Sequence, residues 1–153
     1  MSSTNPTLTI VIPVYNEEKA LPFVLPELIG FVNQNGYNLV LTNDGSRDNS
    51  LQVLRNAVAN EPRCKVVNHK VNRGYGGAIK SGILESETDF VITIDADGQH
   101  YLEDVTKLFN FLKERDADMV VGSRKGEAEA SAIRSVGKSI IRSVAKILMP
   151  INI

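Results

Sequence analysis

Five short apolar runs alternate with segments of helical spacing along this chain. The runs are Leu8–Val14, Tyr37–Thr42, Cys64–Val67, Phe90–Ile94 and Met119–Gly122. Between them, Leu21, Val24, Leu25, Leu28 and Val32 recur as one helix face, Leu51, Leu54 and Val58 begin another, Ala78–Glu85 gives a third, and Leu102, Val105, Leu108, Phe109 and Leu112 a fourth. Strict alternation of this kind predicts an α/β fold with a mostly parallel sheet and helices on both faces. Ligands of such sheets bind beyond the C-terminal strand ends, near a topological switch point. The polar segments that could carry chemistry all follow strands: Tyr15–Glu18, Asn43–Asp48, Asn72–Gly77, Asp95–His100 and Ser123–Gly126. Pro22 suits a first helical turn, and Pro26 is expected to kink or delay that helix.

The size fits one domain over residues 1–153. With 42% hydrophobic and 23% charged residues, the chain reads as globular. A net charge of −1 provides no field to recruit nucleic acid. One cysteine, Cys64, excludes an internal disulfide and a multi-cysteine zinc site. No apolar run is long enough to span a membrane, and Met1–Pro6 has no basic and apolar signal pattern, so a cytoplasmic location is expected.

Asp95-Ala96-Asp97-Gly98-Gln99-His100 is the most specific segment. Two carboxylates two residues apart leave a strand on one face, and Gly98 permits the turn that would bring both onto one ion. Oxygen donors suit a hard divalent cation, Mg2+ or Mn2+, that also takes phosphate oxygens. Gln99 would add a neutral oxygen ligand, whereas His100 is read as a packing residue. In Asn43-Asp44-Gly45-Ser46-Arg47-Asp48, a strand-end carboxylate can accept from a base N–H or a ribose hydroxyl. Ser46 or Asp48 can cap the next helix, so a turn with a cap also explains this segment. Asn72-Arg73-Gly74-Tyr75-Gly76-Gly77-Ala78 reads either as a phosphate-cradling loop at a helix N-terminus or as a tight glycine turn. Arg124 has the forked donors that suit a diphosphate.

Together these segments resemble a known family. Residues 7–126 look like the nucleotide-binding half of a family 2 glycosyltransferase of GT-A, Rossmann-like fold. The resemblance rests on Val11-Ile-Pro13-Val-Tyr15-Asn16-Glu17, Asn43-Asp44-Gly45-Ser46, Asn72-x-Gly74-x-Gly76-x-Ala78, Asp95-Ala-Asp97-Gly98-Gln99-His100 and Gly122-Ser123-Arg124. The fourth motif has the form common in polyprenyl-phosphate sugar synthases similar to dolichol-phosphate mannose synthase. Asn43 departs from a more usual aspartate, and Tyr101 from the usual continuation. The resemblance implies that Pro13, Tyr15, Glu17, Thr42 and Asp44 hold base and ribose. It implies that Asp95, Asp97 and Gln99 hold the metal, with Ala96 between the carboxylates also on the nucleotide sugar, and that Arg124 meets the diphosphate or sugar.

The reaction so implied is inverting transfer of a sugar from a UDP- or GDP-sugar to a polyprenyl phosphate. Such an acceptor is already anionic near neutral pH and needs no strong general base. The family usually continues with an Asp-containing motif and a Ser/Cys-Gly-Phe-Arg segment that complete the acceptor side. The chain is therefore expected to be a donor-binding half with no assignable catalytic residue, and the alternative reading is a catalytically incomplete nucleotide-sugar-binding module. Over residues 130–149, Ile133, Val136, Ile140, Ile141, Val144, Ile147 and Leu148 form an apolar stripe, with Arg134, Lys138, Arg142 and Lys146 on another face. This reads as an ordinary amphipathic helix with a solvated basic face, or as an interfacial helix approaching anionic lipid at the inner face of the membrane. With partner segments absent, the stripe is expected to pair with a second copy, making a homo-oligomer. A haloacid-dehalogenase-type phosphatase shares Asp-x-Asp-Gly, but on its first strand and followed by Thr. A nucleotidyltransferase needs a basic, Gly-rich loop after strand one, where this chain has acidic Tyr15–Glu18.

Overall fold

The computed structural model describes residues 7–96 and 101–122. Residues 1–120 form one compact unit and 121–153 a second, of which only residues 121 and 122 are described. Eight elements alternate along the described chain: β1 Leu8–Val14, α1 Leu21–Asn35, β2 Asn38–Asp44, α2 Ser50–Val58, β3 Cys64–His69, α3 Tyr75–Leu84, β4 Phe90–Thr93 and α4 Leu102–Arg115. The four strands are parallel in the order β3-β2-β1-β4. The chain thus builds outward from β1 to β3, then crosses back to place β4 on the other side of β1. The switch point lies between β1 and β4, where two neighbouring strand ends lead away in opposite directions.

The pleat of β1 assigns its two faces. Leu8, Ile10, Ile12 and Val14 enter one core with Leu21, Leu25, Leu28 and Val32 of α1, Leu54 of α2, and Val105 and Phe109 of α4. Val11 points the other way, toward α3. A Cβ built on Gly82 would come within 2.3 Å of Val11 Cγ1 and 3.0 Å of Thr42 Oγ1, so α3 lies on the sheet at a distance only glycine allows. Helices therefore cover both faces, as the alternation predicts.

Pro13 stands within the central strand. The Val11 carbonyl accepts from Ile94 N–H, so residue 11 and, two further on, residue 13 direct their backbone groups toward β4. The β1–β4 register ends at Val11↔Thr93. The next donor in that ladder would be the N–H of residue 13, which proline lacks. On the other side, pairing with β2 continues through Pro13↔Thr42 and Val14↔Asn43. The sheet therefore separates on one side of β1 only, at the switch point.

Several boundaries differ from the sequence expectation. β2 and β3 run two residues further, to Asp44 and His69. Their polar ends stay in the sheet because they face one another in register, Asn43 with Asn68 and Asp44 with His69. Asn43 Nδ2 donates to Asn68 Oδ1 at 2.8 Å, and His69 Nδ1 lies 2.7 Å from Asp44 Oδ1. Pro26 does not delay α1, which starts at Leu21 and runs through it; the carbonyl that Pro26 cannot engage is that of Pro22, in the first turn. α3 begins at Tyr75 and takes Gly76 and Gly77 into its first turn, so the glycine-rich loop is shorter than its glycine count suggests. Met119–Gly122 is not a strand. An apolar run becomes a strand only where a sheet edge receives it, and Met119 and Val121 are each 77% exposed.

Gly82→Ala is expected to lower stability by about 1–3 kcal/mol through overpacking against Val11. Gly30→Ala in α1, where a Cβ meets nothing within 4 Å, is expected to raise it by ~0.5–1 kcal/mol. Urea unfolding of both variants checks the contrast.

Candidate nucleotide site

The loop after β1 is stitched to the loop after β2 by side chains accepting from backbone amides. Asn16 N–H donates to Ser46 Oγ, Glu17 N–H to Ser50 Oγ and Glu18 N–H to Asp48 Oδ2. In return, Arg47 N–H donates to Asn16 Oδ1 and Asn49 N–H to Glu18 Oε2. Asn16 takes a left-handed φ of 57°, which asparagine tolerates better than most residues. Asp48 Oδ1 also accepts from Ser50 N–H and Oγ–H, so it secures the first turn of α2. Ser46 serves the loop contact instead. Gly45, at φ +67°, lets the backbone at Asn72 pass close by; a Cβ there would lie 2.5 Å from Asn72 N.

Asp44, 3% exposed, is the hub beneath these loops. Its Oδ1 receives His69 Nδ1–H at 2.7 Å and Arg73 N–H at 2.8 Å. Because an ionised carboxylate only accepts, Nδ1 carries the proton, and Nε2 is hydrogen-bonded to Ser81 Oγ at 2.8 Å. Burial pushes the Asp44 carboxyl up, but the bonds from His69 and the Arg73 and Gly74 amides outweigh it, and the net shift is downward. Asp48 follows the same pattern, with burial outweighed by donors from Ser50 and Glu18. The sequence Asp–His–Ser has the distances of a nucleophile relay. Ser81, however, lies inside α3, where neighbouring amides are bonded within the helix and unavailable to an oxyanion. The Cys64 thiol, pushed up to about 11 by burial and by Glu61, stays neutral.

A cleft of about 380 Å³ opens where β1 and β4 part, lined by Pro13, Val14, Tyr15, Glu17, Asp44, Asn72, Tyr75, Ala78, Asp95 and Ala96. Tyr75 OH donates to Asp95 Oδ1 at 2.9 Å and so links the glycine-rich loop to the end of β4. Burial, followed by the Asp95 carboxylate, raises the Tyr75 phenol above its ordinary value and keeps it a donor.

Of the residues singled out from sequence, Pro13, Tyr15, Glu17, Asp44, Asp95 and Ala96 meet on this cleft. Thr42 does not line it; fully buried under Gly82, its Oγ1 has no partner among the described residues. Asp97, Gln99, His100, Arg124 and the segment 130–149 lie outside the described residues. Among the described residues no three His, Cys, Asp or Glu side chains gather as a metal site, and no helix is long and apolar enough to cross a membrane. Asn72, His69, Tyr75 and Ser81 are site residues that the sequence did not mark for these roles. The only signal for His69 was a polar residue ending an apolar strand.

Residues 9–146 match the model of the glycosyl transferase family 2 domain. The chain belongs to glycosyl transferase family 2. Among curated relatives, this family 2 chain is 38% identical over 143 residues to an undecaprenyl-phosphate 4-deoxy-4-formamido-L-arabinose transferase of Shewanella sediminis, covering 91% of this chain and 42% of the relative. It is 28% identical to a dolichyl-phosphate beta-glucosyltransferase of Dictyostelium discoideum, covering 90% and 45%. The chain thus spans less than half the length of these relatives. Solved structures of like fold include S. aureus TarS 1-349 in complex with UDP-GlcNAc, at TM-score 0.62 and 24% identity over 78% of this chain and 36% of that one. Another is the mannosyltransferase PcManGT of Pyrobaculum calidifontis in complex with GDP-Man and Mn2+, at TM-score 0.62 and 18% identity over 72% and 33%. The shared fold is GT-A.

The folded Asp44 and Asp48 carboxyls lie below their ordinary value. Each therefore adds stability that is fully present above the unfolded value of ~3.9 and is lost as pH falls through the lower folded value. Urea midpoints are expected to fall as pH drops below about 4, and Asp48→Asn to flatten that fall while lowering stability at neutral pH.

Proposed function

We propose that this chain is the donor-binding part of a glycosyltransferase that moves a sugar from a UDP- or GDP-sugar to a polyprenyl phosphate, with inversion. The observation that carries the reading is the cleft at the β1–β4 switch point, where Tyr15, Glu17, Asp44 and Asp95 converge in a family 2 domain. The acceptor class is argued from the relatives, which are named for undecaprenyl and dolichyl phosphate. A lipid acceptor implies work at a membrane surface, by peripheral contact.

Base and ribose would lie between Tyr15, Glu17 and Asp44. Tyr15, 43% exposed, offers a ring face, Glu17 a carboxylate for ribose hydroxyls, and Asp44 an acceptor for a base N–H. The amides of residues 16–18 already donate to Ser46, Ser50 and Asp48. That loop therefore cannot wrap a diphosphate as a phosphate-binding loop does. Charge neutralisation falls to the β4 side. There the Asp95 carboxylate sits exposed at the cleft mouth, an oxygen donor that fits a hard cation. Asp95, with Asp97 and Gln99, would hold Mg2+ or Mn2+; the ion would offset the negative charge of the leaving diphosphate. Arg124 would add forked donors to the same group. A phosphate acceptor arrives ionised, so no side chain in the cleft has to remove a proton.

Thermal-shift titration with UDP, GDP and their sugars, each with Mg2+ or Mn2+, tests the reading. One base series should raise the midpoint in the presence of metal, by up to ~2.7 kcal/mol of added stability at one hundred times Kd. Asp97→Ala should remove the metal-dependent part. No shift with any nucleotide would refute the assignment, and a shift unchanged in Asp97→Ala would refute the metal ligation. Turnover of the donor with and without a polyprenyl phosphate separates a transferring chain from one that only binds.

A further inference from the structure

His69 and Ser81 take no part in the site as inherited from the motifs, yet they are bonded in series to Asp44, which does. Beside this rung lies the polar Asn43–Asn68 pair, and further back along the ladder apolar Leu41 faces Val66. An apolar pair at the last rung would hold the strands together without the cost of burying a carboxylate. Instead the rung carries a carboxylate whose edge reaches the cleft, and an imidazole that is 5% exposed and bonded at both nitrogens. Ser81 reaches His69 because Gly82 lets α3 settle onto Val11 and Thr42. The imidazole therefore spans from the sheet to the helix, and its orientation is fixed at both ends. The Gly74 amide also bonds Asp44, and two other donors, His69 Nδ1–H and Arg73 N–H, converge on Oδ1. Neither of those bonds uses Oδ2.

We propose that His69, clamped by Ser81, is a positioning residue that fixes the Asp44 carboxylate as an acceptor-only group for the nucleotide base. This rests on the donor-binding reading above. A carboxylate held this way favours a base that presents a ring N–H, as uracil and guanine do. It disfavours one that presents a ring lone pair, as cytosine and adenine do, because the two acceptors then face each other across a desolvated contact. The charged and titratable groups around Asp44 are His69 on β3 and Arg73 before α3, with Glu17, Tyr75 and Asp95 on the walls of the same cleft. His69 and the Arg73 amide touch the carboxylate itself.

Two isosteric substitutions separate the two ends of the imidazole. His69→Asn retains an N–H near the Nδ1 position and loses the reach to Ser81. His69→Gln retains a polar atom near the Nε2 position and loses the donor to Asp44. Calorimetric titration with UDP, GDP and CDP in Mg2+ reads the effect. His69→Gln should weaken the tighter of UDP and GDP about tenfold, the scale of one hydrogen bond to a charged group, leave CDP unchanged, and so compress the selectivity ratio. His69→Asn should recover most of that ratio. Ser81→Ala, a single hydroxyl lost from a half-buried helix position, should weaken the preferred nucleotide a fewfold and serves if the His69 variants fail to fold. In Asp44→Asn the effect of either His69→Gln or Ser81→Ala should vanish. Equal weakening of all three nucleotides would overturn the inference, as would a His69→Gln or Ser81→Ala chain with wild-type selectivity. A wild-type chain that binds none of the three would sink the donor-binding reading and this inference together. Binding by wild type with unimpaired variants would sink the inference alone.

Discussion

One buried carboxylate organises this domain above its sheet. Asp44 ends β2, meets β3 through His69, reaches α3 through His69 and Ser81, and receives the amide of Arg73 from the glycine-rich loop. A carboxylate with so little exposed surface is stable only when donors surround it. The fold meets that demand by bringing β3 and the loop before α3 to one oxygen atom. The last rung of the β2–β3 ladder, the path of the loop before α3 and the depth to which α3 sinks are therefore coupled. The glycines at 45 and 82 make the close approaches possible, one between loops and one between helix and sheet.

A second set of bonds gives the cleft its other wall. The loops after β1 and β2 exchange five hydrogen bonds between side chains and backbone amides. Each stitches a donor that would otherwise face solvent or ligand. The result is a rigid acidic rim in which Glu17 and Asp44 offer acceptors while the amides nearby are occupied. Acceptors suit the hydroxyls and N–H groups of a nucleoside, and they repel phosphate. On the proposed donor-binding reading, placing the nucleoside toward β2 and the diphosphate toward β4 would follow from which backbone groups the loops have already used.

Much of this was legible in the sequence, because the alternation of periods is a property of single segments. The limits of β1 and the apolar faces of α1 and α4 follow directly from side-chain spacing. The parts that were not legible depend on pairs. Asn43 and Asp44 read as turn residues, and Asn68 and His69 lie past the apolar run; all four become strand residues because β2 and β3 bring them opposite one another. Gly76 and Gly77 suggest a loop by type, yet the hydrogen bonds of α3 absorb them. Met119–Gly122 shows the converse: an apolar run that forms no strand and leaves Met119 and Val121 exposed. In the cleft, motif residues such as Tyr15, Glu17 and Asp44 were readable from their place after strands. Thr42 was not, because its depth depends on how closely α3 packs, and that is decided at Gly82. His69 and Ser81 carried no local signature, since their role exists only through a register and a helix packing distance.

Pro13 has a consequence for motion. In a parallel sheet two neighbouring strands tend to zip to their full common length, and a crevice between them would open and shut as end rungs form and melt. With no N–H at residue 13, that rung has no donor from β1 to β4. The gap between β1 and β4 is written into covalent structure as a fixed wedge.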